Sequence, residues 1–387
     1  FVAGIGGIVF NGTAPTVTDD VLYSDSGALK WNGDDLSLDL MMPLNTFINT
    51  SGSTITEYDR AGNVLDSCAT SAASDIETML EHAIGRGGLT YLSAGTYNIA
   101  AGDIDVPNDG TVWVLQGAGR GKTIIEGTGT NIFVYTYTSG YQLTGTVKDL
   151  TIDGKTAATA FNLVGKYCWT KLIDNVLIDN ANYGILMYDS VGCKINRLHI
   201  EDSAYGMYIY GTSTNGTTTL DCTDIYIKTI TNQGLLLSGK VTGCSFGPGV
   251  IELCGNPLIH MYGSADGRVA GNSLHNLWIE EDNTNDMMLM DSYDNMAGGW
   301  TGPAGNVIRD NTFNCGSSVT ALNLDAGRRN NFISNICIGS GSNHFTVTET
   351  ARTEYNNIIY NVVNGDGHWV VSDSGTGNLK TGTAESA

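Results

Sequence analysis

The chain repeats one short phrase about every 22 to 28 residues between positions 150 and 365, and this repeat constrains the fold more than any other feature. The phrase opens with a polar residue and continues with apolar residues at alternate positions, which is the pattern of a half-buried strand. This first strand of the repeat occurs at residues 149–152, 175–178, 197–200, 224–227 and 276–279, and less regularly from Asn311, Asn335 and Asn361.

A second strand follows each first strand after six to eight residues. A period in the twenties built from short strands and polar corners is typical of stacked coils, because one coil cannot bury its own core. The chain is therefore predicted to be all-β, a parallel β-helix of about nine to eleven coils. The second strands begin at Gly184, Gly206, Gly234 and Pro257, and then near Met288, Leu322, Phe345 and Trp369.

An Asn or Asp residue stands just before most of the first strands. Such a side chain suits a tight corner, because it can bond to the backbone groups of the corner and tolerates a left-handed conformation. In stacked coils these side chains form a ladder. A structural role is therefore expected for Asn175, Asn276, Asn311, Asn335 and Asn361.

Composition narrows the classes of partner. The net charge is -21, and an acidic surface disfavours phosphate backbones, so no nucleic acid is expected. No segment is long and apolar enough to span a bilayer, so no membrane insertion is expected. The eight cysteines include no CxxC pair, which predicts buried free thiols and no metal site.

Residues 74–84 carry the pattern of a short capping helix, in which Ser74 and Glu77 predict a capping box and Gly85 the end. The sequence pattern changes on either side of this helix, and these changes predict four segments. These are an N-terminal attachment segment at 1–55, the capping helix and first strands at 56–110, the β-helix at 111–378 and a flexible tail at 379–387.

Two glycine-rich stretches follow the helix. Residues 87–99 hold a Gly-Gly strand that runs to Ala-Gly-Thr-Tyr, and residues 117–121 read Gly-Ala-Gly-Arg-Gly. Together with the helix, they resemble the opening of the pectate-lyase-like superfamily. The resemblance covers roughly residues 60–370 and implies a right-handed parallel β-helix. It implies no single activity, because the superfamily includes lyases, hydrolases, epimerases, tailspike depolymerases and inert adhesins.

Residues 23–33, which read Tyr-x-Asp-x-Gly-x-Leu-x-Trp-Asn-Gly, resemble segments in the structural parts of viral tail fibres and tailspikes. This resemblance implies an extracellular or virion-surface location.

The first strands present aromatic residues beside carboxylates on their outward face. Flat rings stack on sugar faces, and carboxylates accept bonds from hydroxyl groups or serve as acid, base or nucleophile. This row therefore predicts a sugar site. One outward column holds Thr151, Leu177, His199, Tyr226 and Trp278, and the column two residues further along holds Asp153, Asp179, Glu201, Lys228 and Glu280.

The second strands present a more apolar outward face, and a stripe of Leu and Tyr favours a subunit interface, as in a homotrimer. The far end of the stripe turns polar and predicts a cleft. One column holds Leu186, Tyr208, Leu236, His260 and Leu289, and the next holds Tyr188, Tyr210, Ser238, Tyr262, Asp291 and Asp325.

Adjacent coils lie about 4.8 Å apart, so carboxylates on neighbouring coils can stand about 5 Å apart, as in a retaining glycosidase. Two pairs meet this condition, Asp179 with Glu201 and Asp291 with Asp325. These four are the candidate catalytic residues. The candidate substrate-binding residues are His199, Tyr226, Trp278, Glu280, Tyr210, His260 and Tyr262.

These features favour a tailspike-like depolymerase that hydrolyses a polysaccharide without a required cofactor. Two alternatives remain open. The first is a non-catalytic adhesin or virion structural protein. The second is a uronate lyase or epimerase, for which calcium is a possible cofactor. Pectin is not the expected substrate, because the motif sets of polygalacturonases and pectate lyases are absent from the sequence.

Overall fold

The coils of the solenoid contribute strands to three sheets, and the repeat predicts at least two strands in each coil. The computed structural model describes residues 44–99, 103–107, 109–136, 144–164, 171–281, 286–292, 302–316, 320–339, 343–349, 353–364, 368–373, 377, 379–381 and 384–385, and the short strands within 2–35. We name the sheets A, B and C in chain order within a coil. The predicted first strand lies in sheet B, the predicted second strand lies in sheet C, and sheet A precedes the corner.

In the coils from Thr144 to Asn364, sheets A and B join at a corner of one or two residues, and three strands pass through it without a break: Thr144–Asp153, Lys171–Asp179 and Cys193–Glu201. Sheet A also contains Gly88–Leu92, Val112–Gln116, Asp221–Thr223, Ser245–Phe246, Ser273–His275, Val307–Arg309, Asn331–Ile333, Asn357–Ile359 and Leu379–Thr381. Sheet B also contains Gly95–Ile99, Thr123–Gly127, Ile225–Ile230, Gly249–Cys254, Leu277–Glu281, Thr312–Cys315, Ile336–Gly339, Val362–Asn364 and Ala384–Glu385.

Within the described ranges, sheet C has nine strands in parallel order, which correspond to about eight turns and agree roughly with the predicted count. Parallel strands joined by crossovers wind in a right-handed sense. The strands are Ile104–Asp105, Asn131–Thr136, Thr159–Val164, Tyr183–Tyr188, Tyr205–Gly211, Leu235–Gly239, Ile259–Gly263, Asp286–Ser292 and Thr320–Leu324. Asn343–Glu349 pairs with His368–Asp373 beyond them, and short strands close some coils at Thr217–Thr218, Val241–Thr242, Val269–Ala270, Gly327–Arg328 and Thr353–Glu354.

The corner between sheets A and B is left-handed, as the polar residues at this position predict. Arg197 has a long side chain that rarely adopts this conformation, and the corner is supported by two bonds from its guanidinium to Asp174, of 2.8 and 2.6 Å. The corner residues with positive φ include Asp149 (56°), Asn175 (55°), Arg197 (51°), Asp224 (52°) and Asn276 (52°).

A buried asparagine ladder follows this corner in the last coils. Asn311 donates from its backbone and side chain to Asn335 Oδ1 at 3.1 and 3.0 Å, and Asn335 donates in the same way to Asn361 Oδ1 at 2.9 Å. The predicted ladder is thus confirmed for these three residues. Asn175 and Asn276 occupy the left-handed corner position instead. A second ladder, absent from the prediction, contains Asn272, Asn306, Asn330 and Asn356.

The helix Ala73–Gly85 buries the predicted face, which contains Ile76, Met79, Leu80, Ala83 and Ile84. The predicted capping box is wrong. Ala72 is the N-cap residue and provides no side-chain bond, while Ser74 lies inside the first turn. Its carbonyl accepts a bond from Thr78 Oγ1 at 3.0 Å. The helix therefore starts one residue earlier than expected, and it is held by its apolar face.

The segment before the helix is antiparallel. Leu44–Ser51, Thr54–Asp59 and Val64–Ala69 pair in sequence, and the first of them also pairs in parallel with the first strand of sheet A. Further antiparallel pairs join Val2–Gly4 to Gly7–Val9 and Leu22–Asp25 to Ala28–Trp31, which also pairs with Asp34–Asp35. The predicted segment boundaries remain a prediction. No helix in the described ranges has the length and hydropathy needed to cross a membrane.

Candidate functional site

The outward column of sheet B follows the predicted register, with one correction. Leu177 aligns with His199, and His199 aligns with Tyr226. The next partner of Tyr226 is Val250, and only the coil after that contributes Trp278. Trp278 therefore lies two coils from Tyr226, because the strand Gly249–Cys254 lies between them. The repeat does not predict this strand.

The unexpected coil places Glu252 in the carboxylate column, between Lys228 and Glu280. Tyr226 Oη donates to Glu252 Oε1 at 2.5 Å, and this bond is the main reason that the pKa of Tyr226 is raised. The sequence holds a signal for this coil. The corners at Asp224 and Asn276 are about two periods apart, but the corner between them carries Gly-Pro-Gly in place of an Asx residue.

Glu201 is the centre of the sheet B cluster. Lys228 Nζ lies 3.0 Å from Glu201 Oε2, and His199 Nε2 lies 3.2 Å from the same oxygen. The hydrogen bond from Lys228 raises the pKa of that ammonium. These contacts come from the same coil and from the next one, so the carboxylate is held in place and its charge is compensated.

Asp179 occupies the position of Glu201 on the preceding coil. Burial raises the pKa of Asp179, and the neighbouring charges of Asp153 and Glu201 raise it further. Its Oδ1 atom is buried and has no hydrogen-bond partner within the described ranges. The two neighbouring carboxyl groups thus differ in environment, since one faces a cation and the other is desolvated beside like charge.

His199 contributes a neutral ring to this cluster. Burial lowers the pKa of His199, although the nearby Glu201 acts in the opposite direction. The ring lies 4.6 Å from the ring of Tyr226, centroid to centroid, at an angle of 40°. A neutral imidazole beside a phenol and an ammonium can take up a proton.

Trp278 and Glu280 form the next part of the surface. Trp278 is 39% exposed, and its Nε1 donates to Glu280 Oε2 at 2.7 Å. This bond fixes the orientation of the indole, whose face remains available as a flat platform.

The columns of sheet C also follow the predicted register. His260 Nε2 lies 3.6 Å from Asp291 Oδ1, and the ring of His260 lies 5.5 Å from that of Tyr262. Asp325 follows the last paired residue of the next coil and donates from its backbone to Met290. The structure therefore brings His260, Tyr262 and Asp291 together at the polar end of the stripe.

Tyr210 lies apart from this group. It aligns with Ser238, which in turn aligns with Tyr262, so two coil steps separate the two tyrosines. The Tyr210 hydroxyl donates to Asp266, and burial together with this bond raises the pKa of Tyr210. Among the described residues, no cluster of three or more His, Cys, Asp or Glu side chains has the arrangement of a metal site.

No family model matches the chain, and no curated protein matches it in sequence. Solved structures do match in fold. ORF18 of Geobacillus virus E2 has a TM-score of 0.53 at 13% identity, over 86% of this chain and 67% of that chain. DFA-IIIase from Arthrobacter chlorophenolicus A6 has a TM-score of 0.55 at 12% identity, over 77% of this chain and 83% of that chain.

The A-module of the mannuronan C-5 epimerase AlgE4 from Azotobacter vinelandii matches with a TM-score of 0.44 at 13% identity, over 81% of this chain and 96% of that chain. At identities this low, the likeness concerns the fold and no activity. The fold that ORF18 and DFA-IIIase share with the chain is the right-handed parallel β-helix, which confirms the architecture implied by the resemblance to the pectate-lyase-like superfamily.

Proposed function

We propose that the protein binds a polysaccharide and hydrolyses its glycosidic bonds, with Asp179 and Glu201 as the catalytic pair on sheet B. One observation carries the proposal. The two carboxyl groups occupy the same position on successive coils, and their surroundings differ: Asp179 has a raised pKa, while Glu201 faces Lys228 at 3.0 Å. An acid and an ionised carboxylate side by side are what a glycosidase needs.

The coil spacing of about 4.8 Å favours a retaining reaction, for which carboxyl groups about 5 to 5.5 Å apart are typical. Asp179 donates its proton to the oxygen of the departing sugar. Glu201 attacks the anomeric carbon and forms a glycosyl ester. Asp179 then takes a proton from water, which cleaves the ester and releases the sugar with its original configuration. Lys228 orients Glu201 during both steps.

Tyr226 and Trp278 supply the sugar platforms in this proposal. The bonds to Glu252 and Glu280 hold the two rings in fixed orientations two coils apart. A row of rings and carboxylates along one sheet suits an extended chain of sugars, whose apolar faces stack and whose hydroxyl groups donate. The substrate is therefore a polymer that lies along the axis of the solenoid.

The test is to incubate the protein with a panel of neutral and acidic polysaccharides, with and without calcium, and to measure new reducing ends. The anomeric configuration of the first product, read by NMR, checks for retention. Glu201→Gln is expected to lower the rate at least 100-fold, in line with the loss of a catalytic carboxylate. Asp224→Asn is the matched control, because this exposed corner residue lies outside the cluster and Asn tolerates its left-handed backbone.

New reducing ends that persist at full rate in Glu201→Gln would contradict the assignment of the pair. Absence of cleavage across the panel would contradict hydrolysis and favour the alternative of an adhesin or virion structural protein.

A second candidate function rests on His199, Tyr226 and Lys228. A uronate lyase or epimerase needs a base for the proton next to the sugar carboxylate and a cation for that carboxylate. The pKa of His199 is lowered by burial, so the ring is neutral, and the Lys228 ammonium lies 5.6 Å from the centre of the Tyr226 ring. This function predicts an unsaturated product that absorbs in the ultraviolet, or a change in uronate composition, and sensitivity to chelators if calcium takes part.

We also propose an extracellular or virion-surface setting and a homotrimer. The similarity in fold to a protein of Geobacillus virus E2 supports the setting. The half-buried column that runs through Tyr208, Leu236 and Leu289 supports the homotrimer, because apolar stripes of this kind are typical of subunit interfaces. Sedimentation equilibrium of the wild type and of Leu236→Lys tests it. A trimer that the lysine disrupts is expected, and a monomeric wild type would contradict the proposal.

A further inference from the structure

A groove of about 640 Å³ lies on the first coils of sheet C, on a different sheet from Asp179 and Glu201. Asn131, Thr159, Asn162, Tyr183 and Leu186 line its strand side. The described residues that line the groove include no Asp, Glu, Lys or Arg. This described lining is thus uncharged, and it combines amide groups with an aromatic ring.

A chain of hydrogen bonds fixes the amide groups. Asp103 Oδ1 and Oδ2 accept from the backbone nitrogen and Nδ2 of Asn131, both at 3.1 Å. A carboxylate only accepts, so the Asn131 amide must point its nitrogen toward Asp103 and its oxygen toward the next coil. That oxygen accepts from Asn162 Nδ2 at 3.0 Å. Asp103 therefore sets the orientation of both amides.

The end of this chain is an acceptor. Asn162 Oδ1 is buried and has no hydrogen-bond partner among the residues that the structure describes. An unpaired buried acceptor is unfavourable, and the bond from Asn162 Nδ2 to Asn131 prevents the amide from turning over. A ligand that donates a hydrogen bond relieves this cost. Hydroxyl groups donate, whereas a carboxylate does not.

Tyr183 provides a stacking surface beside this acceptor. Asn131, Thr159, Tyr183 and Tyr205 occupy one column on successive coils. Tyr205 stacks on one face of Tyr183, with ring centroids 4.6 Å apart and planes 10° apart. On the preceding coil Tyr183 aligns with Thr159, whose side chain is small and buried. The groove therefore lies where a further ring would continue the stack.

We propose that this groove binds one neutral sugar unit of a glycan, separately from the catalytic pair. The sugar ring stacks on the open face of Tyr183, and one of its hydroxyl groups donates to Asn162 Oδ1. The uncharged lining and the net charge of -21 disfavour uronates. The site holds the glycan on sheet C, and it requires no activity on sheet B.

The test is calorimetric titration of the full chain with cellohexaose, maltohexaose, mannohexaose and xylohexaose, and with hexagalacturonate as the acidic comparison. At least one neutral probe is expected to bind, and Tyr183→Ala and Asn162→Leu are expected to weaken that binding at least tenfold. Tyr58→Ala is the matched control, a half-buried tyrosine on the strand Thr54–Asp59 outside the groove. Asp224→Asn, at an exposed corner outside both sites, is expected to bind the probe as the wild type does.

Asn162→Leu is also the groove variant that is expected to fold normally, so that weaker binding in this variant does not reflect unfolding. It removes one unpaired acceptor and leaves another at Asn131, so its thermal unfolding is expected to stay close to that of the wild type. Absence of binding by all four neutral probes, tighter binding of hexagalacturonate, or unchanged affinity in both groove variants would each overturn the proposal.

Discussion

Lys228 Nζ lies 3.0 Å from Glu201 Oε2, and this contact joins two neighbouring coils of sheet B. On the coil before, burial raises the pKa of Asp179, and the charges of Asp153 and Glu201 raise it further. Stacked coils produce such rows because each coil adds one side chain to the same column. In this column Glu201 faces the Lys228 ammonium, whereas Asp179 is desolvated. The two carboxyl groups are therefore suited to different roles.

The raised pKa of Asp179 predicts the alkaline side of the pH profile. The carboxyl group keeps its proton to a higher pH than an ordinary aspartate, and it acts as the acid only while it is protonated. The value of kcat/KM should therefore be high below the raised pKa and fall as the pH rises through it. Asp179→Asn should lower the rate at least 100-fold and abolish this decline.

The measurement is the rate of reducing-end release between pH 3 and 9 for both proteins. Asp224→Asn should keep the wild-type profile, because this exposed corner residue lies outside the cluster. A decline at alkaline pH that persists in Asp179→Asn would show that another group acts as the acid.

Lys228 is predicted to position Glu201. Lys228→Met removes the contact with Glu201 but keeps the length of the side chain, so kcat is expected to fall about tenfold with little change in KM. Lys228→Arg retains the charge and should recover most of the rate. Steady-state kinetics of the three proteins checks this, and a KM effect alone would assign Lys228 to substrate binding.

The sequence predicts the columns of this surface well, because the side-chain period of a strand and the repeat length together fix the register. His199 aligns with Tyr226, and Asp179 aligns with Glu201, as expected. The side-chain period and the repeat length do not predict two features of the fold. Sheet A strands such as Asp221–Thr223 are too short to show alternation. The corner before Gly249 lacks the Asx residue that marks its neighbours.

The sequence does not predict which side chains on neighbouring coils bond to each other. The bond between Tyr226 and Glu252 and the contact between Lys228 and Glu201 depend on which way each side chain leans along the strand. Residue spacing does not determine that direction. The groove on sheet C was missed for the same reason, since its open acceptor exists only because Asp103 fixes Asn131 and, through it, Asn162.

The asparagine ladder is predicted to carry much of the stability of the last coils. Asn335→Ala removes the bonds to Asn311, Asn361 and the carbonyl of Ile308. Because each buried group left unpaired costs about 1 to 3 kcal/mol, the free energy of unfolding should fall by about 3 kcal/mol or more. Urea unfolding measures the change. Asn314→Ala, on the half-buried outward column, should change the free energy by less than about 1 kcal/mol.

The thiols are predicted to differ in reactivity. Cys68 is half-buried, whereas the other six described cysteines are buried. Burial raises the pKa of Cys244 to about 11 and that of Cys222 well above its ordinary value, so both thiolates are scarce at neutral pH. An aromatic disulfide reagent at pH 8 should react with Cys68 in a fast phase that Cys68→Ser removes. Persistence of the whole fast phase in that variant would contradict this prediction.

Trp278 is predicted to hold a sugar without taking part in the chemistry. The indole is exposed and oriented by Glu280, and it lies three coil steps from Glu201, at a distance of about 14 Å along the stack. Trp278→Ala should therefore raise KM about tenfold and leave kcat nearly unchanged, because a remote platform contributes equally to substrate and transition state. Trp278→Phe should keep most of the affinity, since a flat ring remains.

The matched control is Ile336→Ala. Ile336 is also exposed and occupies the same column two coils further along. Its truncation therefore removes exposed apolar surface from the same column, but at a position further along the stack. If the bound glycan ends near Trp278, Ile336→Ala leaves KM unchanged. A fall in kcat for Trp278→Ala at constant KM would instead place the indole against the reacting sugar, and the catalytic pair would then have to be sought nearer to Glu252 and Glu280.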